Sequence, residues 1–153
     1  MAINVEPALS PHLVVNDAAA AIDFYVKAFD AVELGRVPGP DGRLVHAAVS
    51  INGFTVMLVD DFPEMCGGKS MTPKALGGTP VTIHLTVTDV DAKFQRALDA
   101  GATVMMPLEE QFWGDRYGAV TDPFGHNWSL GQPVRELSME DVQAAMTAQA
   151  GAS

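Results

Sequence analysis

Apolar positions alternate with polar ones over short stretches of this chain and recur every three or four residues over longer ones, so strands and helices take turns. Residues 10–15 (SPHLVV) read as a strand. Asn16 or Asp17 is then placed to cap a helix, because a short side-chain oxygen there can take an unpaired N–H of the first turn. The helix is predicted over residues 18–29, with Ile22, Tyr25, Val26 and Phe29 on one apolar stripe. Strands follow at 32–37, 44–51 and 54–59. Residues 38–42 form a Pro- and Gly-rich turn cluster. Asn52-Gly53 is the pair that a two-residue hairpin favours, since both central residues take positive φ.

The same order returns in the second half. Residues 81–87 read as a strand, Asp89 as a cap, and 90–100 as a helix with Val90, Phe94, Ala97 and Leu98 on one face. Gly101 suits the left-handed position that ends such a helix. Strands are predicted near 103–106, 116–121 and 127–130, with Asp122-Pro123-Phe124-Gly125 as the turn between the last two. A shift of 72 residues lays Pro11-His12-Leu13-Val14-Val15-Asn16-Asp17 on Ile83-His84-Leu85-Thr86-Val87-Thr88-Asp89. It also lays Ile22 and Val26 on Phe94 and Leu98, Val32 on Val104, Gly42 on Gly114, Gly53 on Gly125 and Leu58 on Leu130. One offset across helix, strands and turns indicates two copies of a βαβββ unit.

The expected fold is therefore α+β: two βαβββ modules in tandem, forming a cleft between curved mixed sheets, where ligands tend to bind. The expected division is a first module at 1–60, an inter-module linker at 61–80, a second module at 81–132 and a C-terminal helical tail at 133–153. The linker holds Pro63, Gly67, Gly68, Pro73, Gly77 and Gly78, with room for a short helical turn. A connection of that length is usually functional or joins modules. In the tail, residues 138–146 read as a short capped helix, and 149–153 are expected to fray.

Composition narrows the function classes. Of the 153 residues, 48% are hydrophobic, enough for a packed core. No apolar run reaches the length of a membrane span, and the N-terminus lacks a signal-peptide pattern. With Cys66 as the only cysteine there is no internal disulfide, and the expected location is cytoplasmic. Net charge is -10, and the nine Lys and Arg are scattered, which argues against nucleic acid as a partner.

The candidate chemistry lies in the histidines and in residues 111–130. Strand alternation puts His12 on the face of Ser10 and His84 on the face of Thr82. If Asn52-Gly53 closes a two-residue loop, Ala48 sits opposite Met57, and His46 shares the Met57 face. His12, His46 and His84 are thus expected to line the cleft, whereas His126 is expected at the surface of its turn. Three such imidazoles could hold a divalent metal ion, hydrogen-bond a ligand, or act as acid or base; they could equally fill a polar cavity. Trp113, Asp115, Arg116, Tyr117 and Trp128 supply aromatic walls with a few polar groups, as a flat organic ligand requires. Trp128 is expected in the core, and Asp115 with Arg116 reads alternatively as a loop salt bridge. Met57, Met105 and Met106 read as core filling, or as an adaptable apolar wall. Cys66 has no neighbour in sequence that would activate it.

The pairing of HLVVNDAAAAIDFYVKAF with WGDRYGAVTDPFGHNWSL resembles the vicinal oxygen chelate (glyoxalase/bleomycin resistance/dioxygenase) superfamily, most of all its PhnB-like branch. By that resemblance, the metal ligands of glyoxalase I fall on Ser10, Met57, Thr82 and Ser129, none of them His or Glu, so the standard metal site is expected to be absent. The resemblance also implies a homodimer and places Trp113 and Asp115 at the drug groove of the bleomycin-resistance branch. The expected function is cleft binding of a small aromatic or amphiphilic molecule with no metal cofactor, using His12, His46, His84, Trp113, Asp115 and Tyr117. The alternative is a metal-dependent lyase, isomerase or dioxygenase-like enzyme with a divalent ion on a shifted His12, His46, His84 set.

Overall fold

Helix α1 (Ala18–Phe29) begins where Asp17 accepts a hydrogen bond from Ala20 N and ends on Asp30 in the left-handed conformation. The computed structural model describes residues 2–152. Around α1 stand β1 (His12–Val15), β2 (Val32–Pro38), β3 (Leu44–Ile51) and β4 (Phe54–Asp60). They form one sheet in the order β1-β4-β3-β2, with β1 parallel to β4 and the other pairs antiparallel. After a short helix α2 (Pro73–Leu76), the second module repeats the plan. Its parts are β5 (Thr82–Thr86), α3 (Val90–Ala100), β6 (Thr103–Glu110), β7 (Asp115–Thr121) and β8 (Asn127–Pro133), with sheet order β5-β8-β7-β6. This is the expected pair of βαβββ modules. Strands β6 and β8 run several residues beyond their predicted ends.

The buried face of α1 is wider than one stripe. Ala18, Ala21, Ile22, Phe24, Tyr25, Ala28 and Phe29 are all buried, whereas Val26, expected on the stripe, is 40% exposed. The helix packs on its own sheet and also on α3 of the other module, so two surfaces are covered and a third is left to solvent. Trp128 of β8 is fully buried between the modules, with its ring centroid 5.2 Å from Tyr25 and 4.9 Å from Phe29. Asp89 sits at the start of α3 but makes no capping bond with its side chain; the Val90 N–H goes instead to Gln132 Oε1 of β8, at 3.0 Å.

Two buried carboxylates hold turns in place. Asp60 accepts from Ala18 N and Leu44 N, joining α1 and β3 to the end of β4. Asp122 accepts from Phe124 N and His126 N through Oδ1, and from the Tyr25 hydroxyl and Trp128 Nε1 through Oδ2. The turn before β4 and the turn before β8 each also reach the first strand of the other module. Asn52 Nδ2 donates to Thr86 O at 3.1 Å, and His126 Nε2 lies 2.8 Å from Val14 O. Thr86 is Val14 moved on by the repeat, so the two acceptors are equivalent, whereas the donors are not: Asn52 falls on Phe124 and His126 on Phe54. His126 is therefore a half-buried inter-module contact and not the surface residue expected.

The linker is tied down by polar contacts. A single 3-10 turn, Pro63–Met65, is followed by α2, whose first turn is capped by the Thr72 hydroxyl. Asp61 accepts from Ser70 Oγ and Met71 N. Arg43 pairs with Asp41 and Glu64 and lies 4.2 Å above the Phe62 ring. In the tail, α4 (Met139–Gly151) opens on a reciprocal capping box between Ser138 and Asp141, and it extends through 149–151, where fraying was expected. Ser153 lies outside the described residues.

The repeat carries an offset that changes along the chain. Met57 pairs with Ala48, nine residues before it, whereas Ser129 pairs with Ala119, ten residues before. Strand β3 holds a bulge near Val45, where the register against β2 shifts and Leu44 and Ala47 are both buried at a spacing of three. The second hairpin restores the count with one extra residue in its turn. Between the two irregularities the equivalent of His46 is Tyr117.

Candidate functional site

The helix-covered face of each sheet is core, so the chemistry lies on the opposite face. On the second sheet this face brings together four of the expected site residues. His84 of β5 stands beside Ser129 of β8, with Nδ1 2.8 Å from Ser129 Oγ. Its ring stacks on Tyr117 of β7, centroids 5.8 Å apart and planes 15° apart. Tyr117 meets Trp113 edge to face at 5.6 Å, and Trp113 meets Phe112 in the same way at 5.1 Å. Trp113 Nε1 donates to Asp115 Oδ2 at 3.1 Å. The result is a continuous aromatic ledge with a hydrogen-bonded imidazole at one end and a carboxylate at the other.

Glycine makes the ledge sterically feasible. A Cβ on Gly131 would lie 2.9 Å from His84 Cε1 and 3.6 Å from Tyr117 Cδ2. Only a residue without a side chain lets the imidazole lie down over β8 against Tyr117. At the other end Gly114, with φ +99°, precedes Asp115 in the tight turn that brings Trp113 back over the strand.

The first sheet presents His12 of β1 and His46 of β3, both exposed, with ring centroids 6.4 Å apart. Ala48 does sit opposite Met57, which places His46 on the Met57 face as expected. The pair His12 with His46 is thus the counterpart of His84 with Tyr117. His84 also lines a groove of about 520 Å³ along the free edge of β5, together with Pro11, Asn52, Phe54 and Thr86.

Several expectations are corrected by the side chains. Arg116 does not pair with Asp115. Adjacent strand residues face opposite ways, so Arg116 reaches Asp91 of α3 at 2.7 Å on the helix side, while Asp115 serves Trp113. Met105 and Met106 are exposed and Met57 is half-buried on the open face, so none of the three fills the core. Trp128 is core, as expected. Sequence reasoning missed Ser129, Gly131 and Phe112 as parts of the ledge. A glycine and a serine in alternation with Trp128 and Leu130 marked the open side of β8, and that was the signal to follow.

The family model described as the Glyoxalase/Bleomycin resistance protein/Dioxygenase superfamily matches residues 8–130, and the chain belongs to this superfamily. It is 82% identical over 149 residues to an uncharacterized protein of Mycobacterium tuberculosis H37Rv, a match spanning 97% of this chain and 88% of the relative. Among solved structures it is similar to TnmS3, an antibiotic binding protein from Streptomyces sp. CB03234. That likeness has 28% identity and a TM-score of 0.59, over 86% of this chain and 99% of that one. A PhnB protein from Bacillus cereus, 21% identical with a TM-score of 0.63 over 82% of this chain and 99% of that one, shares the fold.

The metal that the superfamily implies does not fit these residues. Ser10, Met57, Thr82 and Ser129 offer three hydroxyls and a thioether, a poor donor set for a divalent ion. Ser129 Oγ is moreover engaged by His84. The shifted set is not assembled within one chain either: among the described residues no three of His, Cys, Asp and Glu come together as a ligand group. No described helix is long and apolar enough to cross a membrane.

Proposed function

We propose that this chain binds a small aromatic or amphiphilic molecule against the ledge of His84, Tyr117 and Trp113, without the metal site usual in its superfamily. One observation carries the reading: Trp113, Tyr117 and His84 form an unbroken ring-to-ring surface on an open sheet face. Its two ends are fixed by Ser129 and Asp115. Such a surface offers stacking and edge contacts to a flat ligand, with few polar groups to satisfy. The half-buried Trp113 indole is pre-oriented by Asp115, which lowers the entropy lost on binding. The description of TnmS3 as an antibiotic binding protein supports the same class of function. His12 and His46 extend the polar surface on the other module, for a ligand larger than the ledge. The working form proposed is a homodimer; exposed Val32, Leu34 and Val37 on β2 and Val104, Met105 and Met106 on β6 offer apolar surface for association.

The test is a fluorescence titration with a panel of aromatic small molecules. Trp128 is buried and Trp113 is not, so binding at the ledge should quench the Trp113 contribution and raise the melting temperature. Trp113→Phe identifies the source of the signal. A panel in which no aromatic compound changes either emission or melting temperature would refute the reading.

A further inference from the structure

We infer that Ser129 locks His84 in the tautomer protonated on Nε2, so that the ledge ends in a fixed hydrogen-bond donor and its ligand is an aromatic molecule bearing an acceptor oxygen. This rests on the ligand ledge proposed above. Ser129 is 2% exposed, and among the described residues its side chain makes one hydrogen bond, to His84 Nδ1 at 2.8 Å. A hydroxyl has one proton to give. If Nδ1 carried a proton and donated to Ser129, the serine proton would be buried with no acceptor, a costly arrangement. The serine therefore donates and Nδ1 accepts. A neutral imidazole that accepts at Nδ1 carries its proton on Nε2.

The rest of the ring's surroundings keep that donor in place and free. Tyr117 stacks on one face at 5.8 Å, and the Cε1–Nε2 edge lies over Gly131, where a Cβ would come within 3.3 Å of Nε2. Among the described residues no protein acceptor engages Nε2, and His84 as a residue remains exposed. An aromatic molecule lying along Tyr117 and Trp113 would bring a ring substituent to this N–H. A carbonyl, phenolate or carboxylate oxygen satisfies it, whereas an ammonium or amide N–H does not. Ser129 acts here as a positioning residue, through His84.

Long-range ¹H–¹⁵N correlation spectra of the native protein test the tautomer directly, with His84→Phe giving the assignment. The expected spectrum has protonated Nε2 and unprotonated Nδ1 at His84, with a tautomer mixture in Ser129→Ala; a protonated Nδ1 or a mixture in the native protein overturns the inference. Affinity tests the consequence with two probes of one shape, acetylnaphthalene and its isopropenyl isostere. The ketone should bind roughly three- to tenfold more tightly, the worth of one neutral hydrogen bond, and His84→Phe should abolish the difference. Equal affinity for native protein overturns the donor but leaves the ledge standing. Failure of both probes to bind, or to quench Trp113, removes the ledge and the inference with it.

Discussion

The hydroxyl of Tyr25 on α1 lies 2.5 Å from Oδ2 of Asp122 in the last hairpin, so a helix of one module closes a turn of the other. Asp122 gathers four donors in a buried site and is the polar centre of the interface between modules. Asp122→Ala leaves the Tyr25 hydroxyl and Trp128 Nε1 without an acceptor. The expected loss, read by urea denaturation, is about 1–3 kcal/mol for each of these two buried donors.

The same contact sets an alkaline limit. Burial, together with the Asp122 charge, holds the Tyr25 phenol well above its ordinary value. Because the folded value is raised, this contribution to stability is fully present below about pH 10, the unfolded value, and is lost as pH rises from there through the folded value. Melting temperature followed from pH 8 upward should fall less steeply in Tyr25→Phe than in the native chain.

Two glycines on the second sheet should respond differently to alanine. A Cβ on Gly118 would lie 2.8 Å from the Phe94 ring and 2.9 Å from the Leu108 Cα, with backbone unable to yield, so Gly118→Ala should cost about 1–3 kcal/mol. At Gly131 the obstructing atom belongs to the exposed His84 side chain. Gly131→Ala should keep most of the stability, displace the imidazole and weaken aromatic binding, which a thermal melt and a titration together would separate.

Chelation should leave the protein unchanged. With hydroxyls and a thioether at the superfamily ligand positions, treatment with EDTA and re-addition of Zn²⁺, Fe²⁺, Mn²⁺ or Ni²⁺ should not shift the melting temperature, and elemental analysis of untagged protein should find metal far below stoichiometry. A stabilising shift with any of these ions would contradict this.

Trp113→Ala should reduce affinity for aromatic ligands about two- to tenfold, the range of one aromatic pair, while leaving the fold intact because the indole is not core.

The repeat at 72 residues, the Asn52-Gly53 hairpin and the burial of Trp128 were all legible in the sequence, because periodicity and turn chemistry are local. The correspondence of His46 with Tyr117 was not. The bulge in β3 and the extra turn residue before β8 cancel, so the glycines at both ends keep the constant offset while the strand between them is displaced by one. Partner choice was legible only where alternation was applied: it separates Arg116 from Asp115, but the identity of Asp91 as the partner depends on how α3 packs. The central role of Asp122 depends on contact between modules, which a single strand-and-turn reading cannot contain.

The contacts from Asn52 to Thr86 and from His126 to Val14 bear on why the two modules stay in one chain. Strands β1 and β5 each end a sheet, and a strand edge with free amides and carbonyls is a template on which other chains can add. Each hairpin tip occupies a carbonyl on the other module's edge strand. A single module expressed alone would leave that carbonyl without its partner, so tandem duplication here also caps part of each edge strand.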